Sequence, residues 1–404
     1  MRIIVQKFGG TSVATRENRL LAIGHIEDAM KAGYQVVVVV SAMGRKGDPY
    51  ATDTLLGLLD PQDECASRER DLLMSCGELI SAVVFSSMLR GRGYDNCVLT
   101  GAQAGILTNS DHSNAQIISV TPTRILQELE QGKVVIVAGF QGAAENGDIT
   151  TLGRGGSDTT ATALGVALNA EYVDIFTDVD GIMTADPRVV NDARKLHTVT
   201  YAEICNLAYS GAKVIHPRAV EIAMQKNIPV RVRSTLSKDD GTLIVSQAEL
   251  DRMEPRAMRD QVLTGITHTA NLTQVQVNCA PTGGNQLKVF QAMADNRISV
   301  DFISVTPTGV AFTVPNQDSE KAAAILRNAG FDPALLPNCA KVSAVGAGIA
   351  GVPGVMATIM EALTEEGIEV LQSADSHTTI WCLVREEDMV KAVRALHAKF
   401  RLHA

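Results

Sequence analysis

Gln35-Val36-Val37-Val38-Val39-Val40-Ser41 sets five valines in succession with no polar residue between them. β-Branched side chains favour extended backbone. The run is far too short to span a bilayer. It predicts a central strand buried on both faces, which requires helices above and below the sheet. Outward from it, further apolar strand patterns occupy 2–7, 96–100, 134–139, 172–177 and 230–233. Helical patterns at 16–32, 67–90, 121–131 and 158–169 lie between several of them. This alternation predicts an α/β fold with a mostly parallel sheet up to about residue 247.

Beyond that point the texture changes. Residues 248–261 are polar, carry Pro255, and are expected to form a linker or connecting helix. The chain then repeats itself, 292–314 aligning without gaps on 362–384. Ala292 matches Ala362, Ile298 matches Ile368, Val300 matches Val370, Val310 matches Ile380 and Val314 matches Val384. Each copy reads as helix end, strand, turn, strand and second helix, so two small α+β units are expected at 262–336 and 337–404. Their sheet edges suit dimerisation and capture of a small ligand between copies.

At 404 residues the chain has room for two or three cores. A net charge of −9 without a Lys/Arg-rich run argues against nucleic acid or an anionic membrane as partner. Seven dispersed cysteines, none in a C-x-x-C pair, predict buried thiols in a reducing cytoplasm. The eight histidines show no metal-ligand spacing, so no protein-borne metal site is expected.

The candidate chemistry sits where strands end. Lys7-Phe8-Gly9-Gly10-Thr11 puts a cation and two glycines after the first strand, a place where open α/β sheets bind ligands. The lysine precedes the glycines, unlike a P-loop. A second Gly-rich segment, Thr151-Leu152-Gly153-Arg154-Gly155-Gly156-Ser157-Asp158, runs straight into a helical pattern that Ser157 or Asp158 can cap. Its amides, the helix N-terminus and Arg154 make an anion site. Asp178, Asp180, Asp186 and Arg188 follow the fifth strand on a loop suited to a nucleotide, without the oxygen spacing of an EF-hand. Glu78 is an acid inside an apolar helical run, either solvated at an edge or held for a cationic group.

Taken together, KFGGTS (7–12), SAM (41–43), the glutamate of SCGELI (75–80), TLGRGGSDTTA (151–161), FTDVDGIMTADPR (176–188) and GAKVIHPR (211–218) resemble the aspartokinases of the amino-acid kinase family. The resemblance covers nearly the whole chain, the repeat corresponding to a tandem pair of ACT domains. SAMGRKGDPYATDTLL (41–56) and QSADSHTTIW (372–381) look most like the diaminopimelate-sensitive aspartokinases of Bacillus-type bacteria. It implies a three-layer αβα catalytic domain of the carbamate kinase-like type and two ferredoxin-like ACT domains. The implied reaction is ATP-dependent phosphorylation of the L-aspartate β-carboxylate, opening the lysine/diaminopimelate, threonine and methionine branches, with Mg²⁺ carried on the nucleotide.

By the same resemblance, Lys7 and Asp158 are catalytic, Lys7 neutralising the transferring phosphoryl and Asp158 orienting the cations. Lys7, Phe8, Gly9, Gly10, Thr177, Asp178, Met183, Arg188 and Lys213 would bind nucleotide. The family commonly has Tyr where Met183 stands, so a thioether would pack on the adenine. Ser41, Thr52, Glu78, Arg154, Gly155 and Ser157 would bind aspartate, Arg154 clamping a carboxylate and Glu78 the ammonium. Feedback by meso-diaminopimelate, or alternatively lysine or threonine, would engage Val352, Pro353, Gly354, Gln372, Ser373, Asp375 and Ser376. The first copy has Thr282-Gly283-Gly284-Asn285 in place of the usual Pro-Gly turn. A homodimer through the ACT domains is implied too. A kinase of this fold acting on another acid or a nucleotide, and a non-catalytic amino-acid sensor, are the competing readings; intact Lys7, Arg154 and Asp158 speak against the sensor.

Overall fold

In the computed structural model the valine run forms the strand Gln35–Val40, with Val36 through Val40 all buried. Each such valine contributes roughly 1.5–3 kcal/mol relative to an exposed side chain. The strand pairs in parallel with Ile3–Phe8 on one side and Val134–Ala138 on the other. Across the whole sheet the order is Thr198–Thr200, Thr242–Val245, Val230–Ser234, Tyr172–Thr177, Ile3–Phe8, Gln35–Val40, Val134–Ala138 and Asn96–Leu99. Among the described residues its one antiparallel pairing joins Val230–Ser234 to Thr242–Val245. The structure describes residues 1–60, 62–253, 262–279 and 285–404.

Alternate pleats feed two helical layers. Ile4, Phe8, Val36, Val38 and Val40 share a core with Ile23, Ile26, Phe85 and Leu89, which come from the helices Arg16–Lys31 and Ser67–Gly91. Thr15 starts the first of these, its hydroxyl accepting from Asn18 N at 3.1 Å. Ser67–Gly91 is long and apolar enough to cross a membrane by length and composition, yet its apolar face, with Ala82, Phe85 and Leu89, is spent on this core. The helix Gly156–Ala167 packs on Ile3–Phe8 and Tyr172–Thr177. The expected α/β sandwich is thereby formed. A small second sheet of Ile117–Val120, Ile106–Thr108, Gln141–Ala143 and Ile149–Thr151 was not foreseen. Strands of three or four residues are too short to show a period.

The chain divides into two compact units. The first holds Met1–Ile182, Lys195–Ala208 and the described residues from Lys213 to Met253; the second holds Met183–Arg194, Tyr209–Ala212 and the described residues from Val262 onward. The segment expected to be continuous over 1–247 is thus interrupted twice. Of the expected linker 248–261, residues up to Met253 belong to the helix Gln247–Met253, and 254–261 lie outside the described residues, as do Thr282, Gly283 and Gly284.

In the second unit one six-stranded antiparallel sheet serves both repeats. Its long strands Gly265–Asn278 and Pro333–Val345 pair along their length, with register shifts between Thr269 and Leu272 and between Leu272 and Gln274. Val275 and Val277 join the core of the first repeat with Val310, Phe312 and Val314. Ile266, Val342 and Ala344 join that of the second with Ile380, Cys382 and Val384. A division at 336/337 therefore falls inside one strand, because each long strand lends one half to each repeat. Met183–Arg194 adds Ala185 and Val190 to the second core.

Candidate active site

The first strand ends at Phe8, and the chain turns at once into the short helix Gly10–Ala14. Gly10 is needed for close backbone packing: a Cβ there would lie 2.6 Å from the Gly44 carbonyl oxygen. Lys7 points to the face that carries Gly156–Ala167, and its Nζ lies 2.6 Å from Asp158 Oδ1, both side chains only 12% exposed. Two expectations are corrected here. Gly9 N–H does not face an anion but donates to Phe176 O at 3.2 Å. Ser157 and Asp158 do not cap the helix; Gly155 occupies the cap position without a side-chain bond, and both fall in the first turn.

The Gly-rich loop is braced from below. Gly155 is left-handed (φ 66°), and a Cβ on it would sit 2.2 Å from His216 Cβ. His216 caps Pro217–Gln225 by accepting from Arg218 N at 3.4 Å, and burial lowers its pKa. Arg218 donates to Leu152 O at 3.0 Å and Ala115 O at 2.9 Å. The HPR end of GAKVIHPR is thus a support for the GRGG loop. Arg154, at the tip of that loop, is exposed and forms no ion pair among the described residues.

A cavity of about 510 Å³ opens between these elements. Lys7, Gly10, Ser41, Thr52, Glu78, Arg154, Gly155, Ser157 and Asp158 line it, so the two motifs and both expected substrate charges converge. Asp53 beside Thr52 lines it as well, and Arg70, Met74 and Phe140, which were not singled out from sequence, complete this wall. Glu78 is 2% exposed. Its Oε1 accepts from Ala42 N at 3.1 Å, while Oε2 is buried with no partner among the described residues. Burial pushes its carboxyl up to about 8, the Ala42 hydrogen bond opposing only in part. Such a group calls for a cationic donor.

Asp71, on the same helix, is a further residue that the sequence reading missed. Fully buried, it accepts from Ser113 N at 3.0 Å, Thr151 N at 2.8 Å and Thr151 Oγ1 at 2.7 Å, and pairs with His112 Nδ1 at 3.1 Å. It fastens the strand before the GRGG loop to the helix that carries Glu78. It follows Arg68-Glu69-Arg70 directly, so in the sequence it reads as one more charge of a solvated helix start.

Other expected residues stand apart from the cavity lining. The Phe8 ring is buried and stacked on Phe176 at 4.8 Å, so only its backbone is available to a ligand. Thr177 ends its strand, donating to Asp178 Oδ1 at 3.2 Å, and Asp178 pairs with Arg45 at 2.5 Å. Lys213 is exposed in the first unit. Met183 and Arg188 belong to the second unit, where Arg188 forks onto Asp186. There too Val352, Pro353 and Gly354 are exposed before the helix Val355–Glu365, and Gln372, Ser373 and Asp375 lie on Gln372–Asp375. Ser376 Oγ accepts from Thr379 N at 3.1 Å. Gln372 ties the repeats together, donating to Phe302 O at 2.6 Å and accepting from Gln274 Nε2 at 2.8 Å.

Residues 2–234 match the amino acid kinase family and residues 335–398 match the ACT domain. The chain is 59% identical over 404 residues to aspartokinase 1 of Bacillus subtilis (strain 168), covering 100% of both. Its structure resembles the aspartate kinase of Synechocystis (TM-score 0.82, 27% identity, 99% and 98% of the two chains). It also resembles E. coli aspartokinase III, both with aspartate and ADP in the R-state (TM-score 0.79, 26%, 98% and 99%) and with lysine and aspartate in the T-state (0.78, 26%, 98% and 99%). The chain belongs to the amino acid kinase family and, within it, to the aspartokinases. It is an aspartate kinase with ACT regulatory domains.

Proposed function

We propose that the chain transfers the γ-phosphoryl group of ATP to the β-carboxylate of L-aspartate, with Mg²⁺ on the triphosphate. The observation that carries this reading is the convergence of Lys7, Asp158, Arg154 and Glu78 on one cavity. The β-carboxylate is already ionised at neutral pH, so no general base is needed. What the reaction requires is alignment and cancellation of repulsion between two anions. Lys7 is held by Asp158 where the phosphoryl passes, and the unpaired Arg154 fork matches a substrate carboxylate. The orphaned Glu78 oxygen suits the ammonium. Thr177, Asp178, Met183, Arg188 and Lys213 hold the nucleotide in this reading, and Ser41, Thr52, Gly155 and Ser157 complete the aspartate site. Hydroxamate formation with ATP and a panel of acids tests it: aspartate is the productive substrate, and equal rates with glutamate or acetylglutamate would overturn it.

Regulation is assigned to residues 262–404, which dimerise and take up a feedback amino acid near Val352–Gly354 and Gln372–Ser376. E. coli aspartokinase III, in its T-state, is described with lysine. For this chain meso-diaminopimelate is the effector proposed, because 41–56 and 372–381 look most like the diaminopimelate-sensitive relatives. Inhibition titrations with diaminopimelate, lysine and threonine decide it; a response to lysine with silence from diaminopimelate would refute the assignment. The enzyme would act in the cytoplasm at the head of the lysine/diaminopimelate, threonine and methionine branches, where its seven free thiols stay reduced.

A further inference from the structure

Three side chains in the second unit, distant in sequence, aim ligand atoms at one point. His397 Nδ1 lies 3.9 Å from Asp192 Oδ1, and His403 Nδ1 lies 3.9 Å from Asp192 Oδ2. One ligand atom from each of the three falls within 4.8 Å of the others. Sequence spacing gave no sign of this, because the carboxylate comes from the Met183–Arg194 segment and the imidazoles from the chain's last helix and turn.

The scaffold around the point is built. His397 is 1% exposed, and its Nε2 lies 2.9 Å from Thr184 Oγ1. That hydroxyl oxygen already accepts from Arg194 N at 2.9 Å; its second lone pair can accept from Nε2–H, which leaves the Nδ1 lone pair directed at Asp192. A ligating histidine is oriented in this way by a partner on its other nitrogen. The turn that carries His403 is tied back to the same helix, Leu402 N donating to His397 O at 3.1 Å. Arg394, one turn earlier, donates to Val189 O at 2.7 Å and holds the segment that bears Asp192.

We propose that Asp192, His397 and His403 bind a divalent transition-metal ion, Zn²⁺ in the first instance, with water in the fourth position. Two imidazoles and a carboxylate suit Zn²⁺, with bonds of about 2.0–2.2 Å. Tetrahedral bonds of that length put ligand atoms about 3.3 Å apart, so the two 3.9 Å gaps to Asp192, and separations of up to 4.8 Å within the group, must close as the ion binds. Asp192 and His403 are 66% and 45% exposed and free to rotate inward. The ion staples the Met183–Arg194 segment to the C-terminal helix of its own unit.

The test uses the full chain, stripped with chelator and titrated with ZnCl₂ in equilibrium dialysis. One Zn²⁺ per chain is expected, with affinity falling at least about tenfold in Asp192→Asn and in His403→Ala. Both altered side chains are exposed, so these variants keep the fold. Thr184→Val retains all three ligands and is expected to lose about 10–100-fold through misorientation of His397. Co²⁺ in place of Zn²⁺ is expected to give visible ligand-field bands that vanish in His403→Ala. Absence of stoichiometric uptake would overturn the proposal, and so would uptake that neither exposed variant weakens, since the ion would then rest on the cysteines.

Discussion

Lys7 Nζ and Asp158 Oδ1 stand 2.6 Å apart, each side chain only 12% exposed, at the floor of the cavity that also receives Arg154 and Glu78. One comes from the end of the first strand and the other from the first turn of a helix far along the chain. The pair fixes a cation at the carboxyl end of a central strand, where open α/β sheets bind ligands, beside a helix N-terminus that favours negative charge. In Lys7→Ala, kcat for aspartyl phosphate formation is expected to fall by about 10²–10³. Asp158→Asn leaves the ammonium in place but unanchored, and lowers kcat more than it raises the aspartate KM. A Lys7→Ala enzyme with near-normal turnover would remove Lys7 from the mechanism.

Glu78 makes a prediction about pH. Its folded pKa is raised to about 8 from an ordinary 4.5, so the fold binds this proton more tightly than the unfolded chain does. Stability from this group is therefore full below about 4.5 and is lost as pH rises through about 8. Glu78→Gln mimics the neutral acid and keeps an acceptor for Ala42 N. Ligand-free Glu78→Gln is expected to melt above the wild type at pH 9 and level with it near pH 5. Aspartate, pairing its ammonium with the carboxylate, is expected to release a proton at pH 7, measured as a dependence of calorimetric heat on buffer. Release that persists in the Gln variant would show that another group supplies it.

Much of this site was legible because the chemistry obeys local rules. Val36–Val40 could only be a doubly buried strand, and the glycines that follow Lys7 at its strand end and flank Arg154 in its loop mark close backbone approach. What stayed hidden was long-range. Nothing local tells that Asp71 takes up five hydrogen-bonding groups from two other segments, or that Gly9 N–H is used by Phe176. The repeat was visible in 292–314 against 362–384, yet the sharing of Gly265–Asn278 and Pro333–Val345 between both cores was not. A strand's pattern shows which residues are buried and not against which neighbour.

Gly155 predicts a defect that a second change relieves. A side chain there meets both a left-handed backbone, which costs an L-residue about 1–2 kcal/mol, and the His216 Cβ at 2.2 Å. Gly155→Ala is expected to lower thermal stability and raise the aspartate KM, because the loop that presents Arg154 must shift. Adding His216→Gly removes the clash and leaves the backbone cost. Partial recovery of KM in the double variant is expected, whereas Gly155→Ala with unaltered KM would mean that Arg154 does not depend on this brace.

Gln372 offers the corresponding test in the regulatory unit. Its amide joins Phe302 O and Gln274, one from each of two strands of the first repeat, to the edge strand of the second. An effector acts only through a difference in its affinity for two arrangements. A bridge between repeats is where such a difference would be felt. Gln372→Ala cuts both hydrogen bonds, each with a net worth of about 0.5–1.5 kcal/mol. The concentration of feedback amino acid needed for half-inhibition is expected to rise several-fold, while uninhibited kcat and aspartate KM stay unchanged. Dose–response curves for wild type and variant at fixed aspartate measure it. Superimposable curves would place the regulatory contact elsewhere in the ACT pair.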